Sequence, residues 1–148
     1  MGEIPAMKNP FDHIRWPLEA DALGRLSAGA GLHLIETFVV PSTDLLREAI
    51  GIAHRVAAGE PLAELRAERL GICWESARRA RYGMSDRTDL EIRLAIGLLG
   101  PPAVSMDELS ERLEWTIEFI ERINGDGKAA LEASVGYFVA ATGSDTAA

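Results

Sequence analysis

The stretch from Pro41 to Gly143 is divided by its own punctuation into five segments, and that division restricts the fold more than any other feature of the chain. "STD" at residues 42–44, "TDLE" at 88–91 and "SMDE" at 105–108 each offer a side-chain acceptor to the first unpaired N–H groups of a helix. The last two have the capping-box form, hydroxyl first and carboxylate three residues on. Stops follow at Gly59, Gly83, Gly100, Asn124–Gly125 and Gly143. Between them apolar residues recur three and four apart: Leu45, Leu46, Ala49, Ile50, Ala53, Val56 and Ala57 in one segment, Leu70, Cys73, Ala77, Ala80 and Met84 in the next. Met106, Leu109, Leu113, Ile117 and Ile120 do the same in a later segment, as do Leu131, Val135, Phe138 and Val139 in the last. Amphipathic helices joined by short turns pack as antiparallel neighbours.

Upstream the signals are weaker. Residues 1–17 hold three prolines, which predicts an irregular N-terminal arm pinned by Phe11 and Trp16. Leu18, Ala22, Leu23 and Leu26 predict a helix ended by "AGAG" at residues 28–31. "LHLIETFVV" at 32–40 suits a strand or a helix; the only strand-like run to pair with it, "LEIRLAI" at 90–96, would make a marginal two-stranded sheet, so helix is expected. The expected fold is all-α: a single-domain antiparallel bundle of about 6–7 helices over residues 18–143, with a disordered tail at 144–148. Gly51, Gly71, Gly97 and Gly136 fall inside helical segments, where each costs about 0.5–1 kcal/mol against alanine. Close helix–helix contact at those glycines is the expected compensation.

The net charge of −8 repels phosphate backbones, which disfavours nucleic acid as a partner. Neither a signal peptide nor a 20-residue apolar run is present, and one cysteine allows no internal disulfide, so the expectation is a cytoplasmic protein that does not engage a membrane. Motifs of nucleophilic, zinc and nucleotide chemistry (GxSxG, HExxH, CxxC, the P-loop) are missing, and "GAG" at 29–31 lacks the third glycine of a dinucleotide loop. A non-enzymatic protein without a cofactor is therefore favoured over a catalyst. Cys73 lies on the apolar seam of its helix with no histidine on that helix, the pattern of a buried structural thiol. Arg79 follows Glu75 by four residues, in the order that favours a surface ion pair, while Arg78 and Arg81 flank. The alternative chemistry is a metal site or small helical enzyme built from His13, His33 and His54 with Glu36; "HLIE" puts His33 and Glu36 on one face.

The segment "SMDELSERLEWTIEFIERING" carries the strongest functional signal. Asp107, Glu111, Glu114, Glu118 and Glu121 recur every three or four residues beside its core stripe, and neighbouring like charges repel by roughly 0.2–0.5 kcal/mol per pair on a helix. The helix dipole accounts for Asp107 but not for Glu118 or Glu121. A cationic counterpart is implied, from the arginines of residues 78–87 or from a basic partner protein. Trp115, Phe119 and Ile123 form a second apolar strip, which is either buried or a docking surface for a partner or a symmetry mate.

The run "LREAIGIAHRVAAGEPLAELRAERLGICWESARRA", residues 46–80, resembles the all-helical immunity proteins of bacterial toxin–immunity systems in its helix, "GE" turn and second helix rich in small residues and arginine. That resemblance implies a small protein that neutralises a toxin by binding it, and an acidic surface would suit a basic toxin. The function expected from the sequence is thus a protein-binding module acting through Asp107, Glu111, Glu114, Trp115, Glu118, Phe119 and Glu121.

Overall fold

A computed structural model describes residues 10–79 and 86–144. Among them lie six helices and no strand: α1 (Ala20–Phe38), α2 (Asp44–Ala57), α3 (Ala63–Arg79), α4 (Arg87–Leu99), α5 (Met106–Asn124) and α6 (Gly127–Thr142). The fold is an all-α, single-domain bundle. Ala80, Arg81, Gly83 and Met84, the first part of the N-terminal arm and residues 145–148 of the expected tail lie outside the described residues.

The caps act much as the sequence suggests. Thr43 accepts from the Leu46 N–H at the start of α2, and Ser105 accepts from Glu108 N–H at the start of α5 while the Glu108 carboxylate takes the Val104 N–H at 2.7 Å. Gly125 closes α5 in the left-handed conformation, φ 80°, which glycine adopts without steric cost. The start of α4 differs: Asp86 is its cap, and the capping-box carboxylate of Glu91 reaches away to the beginning of α2.

Residues 28–31 do not end the first helix. α1 runs unbroken through "AGAG" into residues 32–38, because it is clamped along its whole length: Leu23, Leu26 and Ala30 face one apolar cluster and Leu34 and Ile35 another. Packing of that kind outweighs the propensity cost of two glycines. Leu18, expected within the helix, precedes it and is 97% exposed. The four interior glycines are also corrected. A Cβ at Gly51, Gly71, Gly97 or Gly136 would meet nothing within 4 Å, since all four lie on exposed faces. Close approach occurs instead at Gly24, against Pro102 and Ala103, and at Gly29, where a Cβ would sit 2.0 Å from the Tyr137 hydroxyl.

α4 is the central element. It packs on α2, α3 and α5, and it buries Leu90, Ile92, Leu94, Ala95 and Leu99 on more than one side. α5 packs on α1, α4 and α6. Polar contacts fix the directions: Glu91 meets Ser42, so α2 and α4 start together; Arg66 donates to the Gly100 carbonyl at 2.7 Å, so α3 starts where α4 ends. Asn124 donates to the Phe38 carbonyl at 2.7 Å, so α1 and α5 finish together and run in one direction. The arm is pinned as expected, Phe11 and Trp16 lying edge-on to Phe138 with ring centroids 6.0 and 4.9 Å away. Ser144, assigned to the disordered tail, is buried and accepts the Arg15 N–H at 2.8 Å, tying the C-terminal end to the arm. No helix among the described residues is long and apolar enough to cross a membrane.

Candidate functional site

The acidic ladder of α5 is on the surface, but its members do different things. Glu118 pairs with Arg122 one turn on, at 2.8 Å, and Glu121 accepts the Gly127 N–H at 2.8 Å, capping α6 in place of Asp126. Those two carboxylates therefore have local structural partners. Asp107, Glu111 and Glu114 are exposed and make no ion pair among the described residues. Among the described residues the arginines of the neighbouring segment do not answer them: Arg79 pairs with Glu75 at 3.6 Å, and Arg87 with Glu91 at 2.9 Å, while Arg81 lies outside the described residues. Of the second strip, Phe119 is turned into the main core at 7% exposure and Ile123 packs against it. Only Trp115 remains open, 49% exposed, with its ring centroid 5.5 Å from that of Phe119.

The histidines do not converge. His54 and Glu36 form a pair at 2.7 Å between α2 and α1, whereas His33 stacks on Tyr137 with centroids 5.4 Å apart and His13 belongs to the arm. Among the described residues no group of three or more His, Cys, Asp or Glu side chains could hold a metal ion. Cys73 is fully buried in the main core, and its thiol is pushed above the ordinary range by burial and, secondarily, by the charge of Glu48. It is a packing residue.

The feature that sequence reasoning missed is a groove of about 780 Å³ running along α1, α4 and α5, with Trp74 of α3 and Trp115 at its edges. Its α1 wall extends from Ala20 to Ile35, roughly 22 Å at 1.5 Å per residue. Small residues hold it open. Gly24, Ala28 and Gly31 line it from α1 and Gly97 from α4, and a Cβ at Gly31 or Gly97 would meet nothing within 4 Å. Half-buried Val56, Ile96, Leu98 and Leu113 supply apolar surface, over the buried side chains of Ile35, Leu94 and Phe119. Tyr137 reaches it from α6, its phenol pushed above the ordinary range by burial.

The charged residues lining this groove are Arg25, Arg66, Arg93 and Arg112 against the single carboxylate of Asp21, in a chain of net charge −8. Three of the four gather at one end. α1 and α5 finish together and share one rise per residue, so Arg25 stands at the level of Arg112; the second core cluster, which joins Leu23 and Leu26 to Leu109, fixes the same register. Gly24 lies against Pro102, two residues beyond the Gly100 carbonyl that receives Arg66, which brings Arg66 to that end as well. Arg93 is half a groove away and is paired with the buried Asp89 at 3.0 Å. Neither Arg25 nor Arg112 makes an ion pair or a side-chain hydrogen bond among the described residues. No motif announced this arrangement, since the four arginines come from four helices; the excess of small residues in "ALGRLSAGAG" was the one legible sign.

No protein family, curated protein or solved structure matches this chain.

Proposed function

We propose that this chain is a non-catalytic binding protein whose site is the groove between α1, α4 and α5, occupied by an elongated, largely apolar small molecule. The observation that carries this reading is the groove itself: a void of about 780 Å³ lies within the size range of small-molecule sites, its walls are mainly apolar, and a few polar groups converge on it. A half-exposed tryptophan at each edge supplies flat apolar area for such a ligand. Titration with the neutral apolar fluorophore N-phenyl-1-naphthylamine tests it. One probe should bind per chain, and Gly31→Leu or Gly97→Leu, which project into empty space and improve helix propensity, should weaken binding at least tenfold while leaving the helical circular dichroism intact. Wild-type protein that does not bind the probe, or variants that bind it equally well, would end the proposal.

A second reading keeps the outer face of α5 as a protein-docking surface, and it rests on Asp107, Glu111 and Glu114 being exposed, without partners among the described residues, beside Trp115. The partner would be a basic protein; the resemblance of residues 46–80 to immunity proteins would make it a toxin met in the cytoplasm, a compartment that suits the lone free thiol of Cys73. The test is charge reversal at Glu114 and Glu118: a partner whose salt-sensitive retention survives the change is not held by this face. Self-association through Trp115 predicts instead that Trp115→Ala shifts a dimer to a monomer in sedimentation.

A further inference from the structure

The groove is polarised along its length, and its occupant should be polarised to match. At the end where α1 and α5 begin and α4 finishes, Arg25, Arg66 and Arg112 line the wall. Arg66 spends one N–H on the Gly100 carbonyl and keeps the rest of its donor fork, while Arg25 and Arg112 have no acceptor among the described residues. Towards the other end the lining residues Ile35, Leu94 and Phe119 are apolar, with only their edges open, and the remaining arginine, Arg93, is already neutralised by Asp89. Unneutralised cations therefore sit at one end of an apolar channel, in a protein whose overall field is negative. Asp21, at the same end, is the carboxylate among the lining residues and offsets one of the three lining charges.

Guanidinium groups recognise planar oxyanions through paired N–H donors, and beside a low-dielectric wall that attraction is stronger than in water. Resting on the reading of the groove as a binding site, we infer that the ligand is a single-chain apolar carboxylate. Its carboxylate is held between Arg25 and Arg112, with Arg66 behind, and its chain lies along α1 towards Leu94 and Phe119. The length of the α1 wall, roughly 22 Å, suits an extended chain better than a compact ring system. The half-exposed Trp74 and Trp115 both line the groove and serve as the reporters.

The experiment compares decanoate, decanol and decyltrimethylammonium as ligands of the full-length protein, by calorimetry and by tryptophan fluorescence, below the concentrations at which they self-associate. Decanoate should bind one to one and roughly tenfold or more tighter than decanol, and the ammonium compound weakest. Arg25→Gln with Arg112→Gln should bring decanoate to the affinity of decanol and leave decanol itself unchanged. Because neither arginine has a partner among the described residues, the double variant should keep its fold; should it unfold, the wild-type ranking and the loss of the decanoate advantage in high salt decide the matter. Equal binding of decanoate and decanol overturns the carboxylate inference and leaves the groove reading standing. Failure of all three to bind overturns both.

Discussion

Glu91 of α4 receives the backbone N–H of Ser42 at 2.8 Å, and through that one contact a carboxylate from the centre of the bundle caps a helix forty-nine residues earlier in the chain. The same carboxylate accepts the Thr43 N–H and hydroxyl, each at 3.0 Å, and the Ser42 hydroxyl; Arg87 holds its other side at 2.9 Å and donates onward to the Val40 carbonyl at 2.7 Å. Glu91 is wholly buried. A buried carboxylate is tolerable only when its lone pairs are filled, and here they are, by Arg87 and by the N–H and hydroxyl groups of the two residues that lead into α2.

Removing this group should be costly. Glu91→Ala leaves the Ser42 and Thr43 donors without this acceptor and the Arg87 charge without its carboxylate, and a loss of roughly 2–4 kcal/mol is expected in urea unfolding. Glu91→Gln, which keeps an acceptor oxygen, should lose less. A Glu91→Ala variant as stable as wild type would show that the cluster contributes nothing net.

Stability should also fall in acid through this group. Burial alone would raise the Glu91 carboxyl, but the hydrogen bonds of Ser42, Arg87 and the Ser42 and Thr43 backbone together outweigh it and hold the group below the ordinary glutamate range. The folded state then binds the proton less readily than the unfolded chain. The stabilisation is full above the unfolded value of about 4.3 and is lost as pH falls through the lower folded value. Glu91→Gln should flatten the acid limb of a stability–pH curve, measured by urea midpoint between pH 6 and pH 2.5.

Gly29 and Tyr137 should show coupling. A methyl group at position 29 would overlap the Tyr137 hydroxyl, so Gly29→Ala should destabilise by about 1–3 kcal/mol despite its gain in helix propensity. Tyr137→Phe should recover part of that loss in the double variant, because the ring carbon behind the hydroxyl stays close, at 3.1 Å. Additive effects in a thermal-unfolding cycle would contradict the geometry.

Gly51→Ala and Gly136→Ala should behave oppositely. Both positions are exposed, lie inside helices and have open space where the Cβ would go, so each substitution should stabilise by about 0.5–1 kcal/mol. Nothing in the structure explains why these two residues are glycine.

Cys73 should resist thiol reagents in the native state. Its thiol is buried and raised by desolvation first and by Glu48 second, so labelling with a disulfide reagent should proceed only as fast as the core opens. Rapid labelling in the absence of denaturant would show local opening around α3.

Much of the bundle was legible because helix ends are local events. Thr43 and Ser105 as caps, Gly125 as a stop and the seam through Cys73 and Ala77 need only their own few neighbours, and periodicity reports them directly. α1 was misread for the complementary reason. Its glycines look like a terminator when judged locally, and they are overruled by packing against α5 and α6 that no window of residues contains. The same blindness hid the candidate site: Trp115 and the carboxylates of α5 were visible on one helix, whereas Arg25, Arg66 and Arg112 come from three different helices and line one groove only in the assembled bundle.

The sequence by itself determined that the chain is helical and where α2 and α5 begin, because hydrogen bonding at a helix end and apolar spacing are settled within a turn or two. Only the tertiary structure decided what each charged side chain is for. Glu91 left its own helix to cap another, Glu121 became the cap of α6, and Arg25 and Arg112 were brought together beside an apolar groove. A charge acquires its role from the groups that share its surroundings, and those are assembled by packing between segments far apart in the chain.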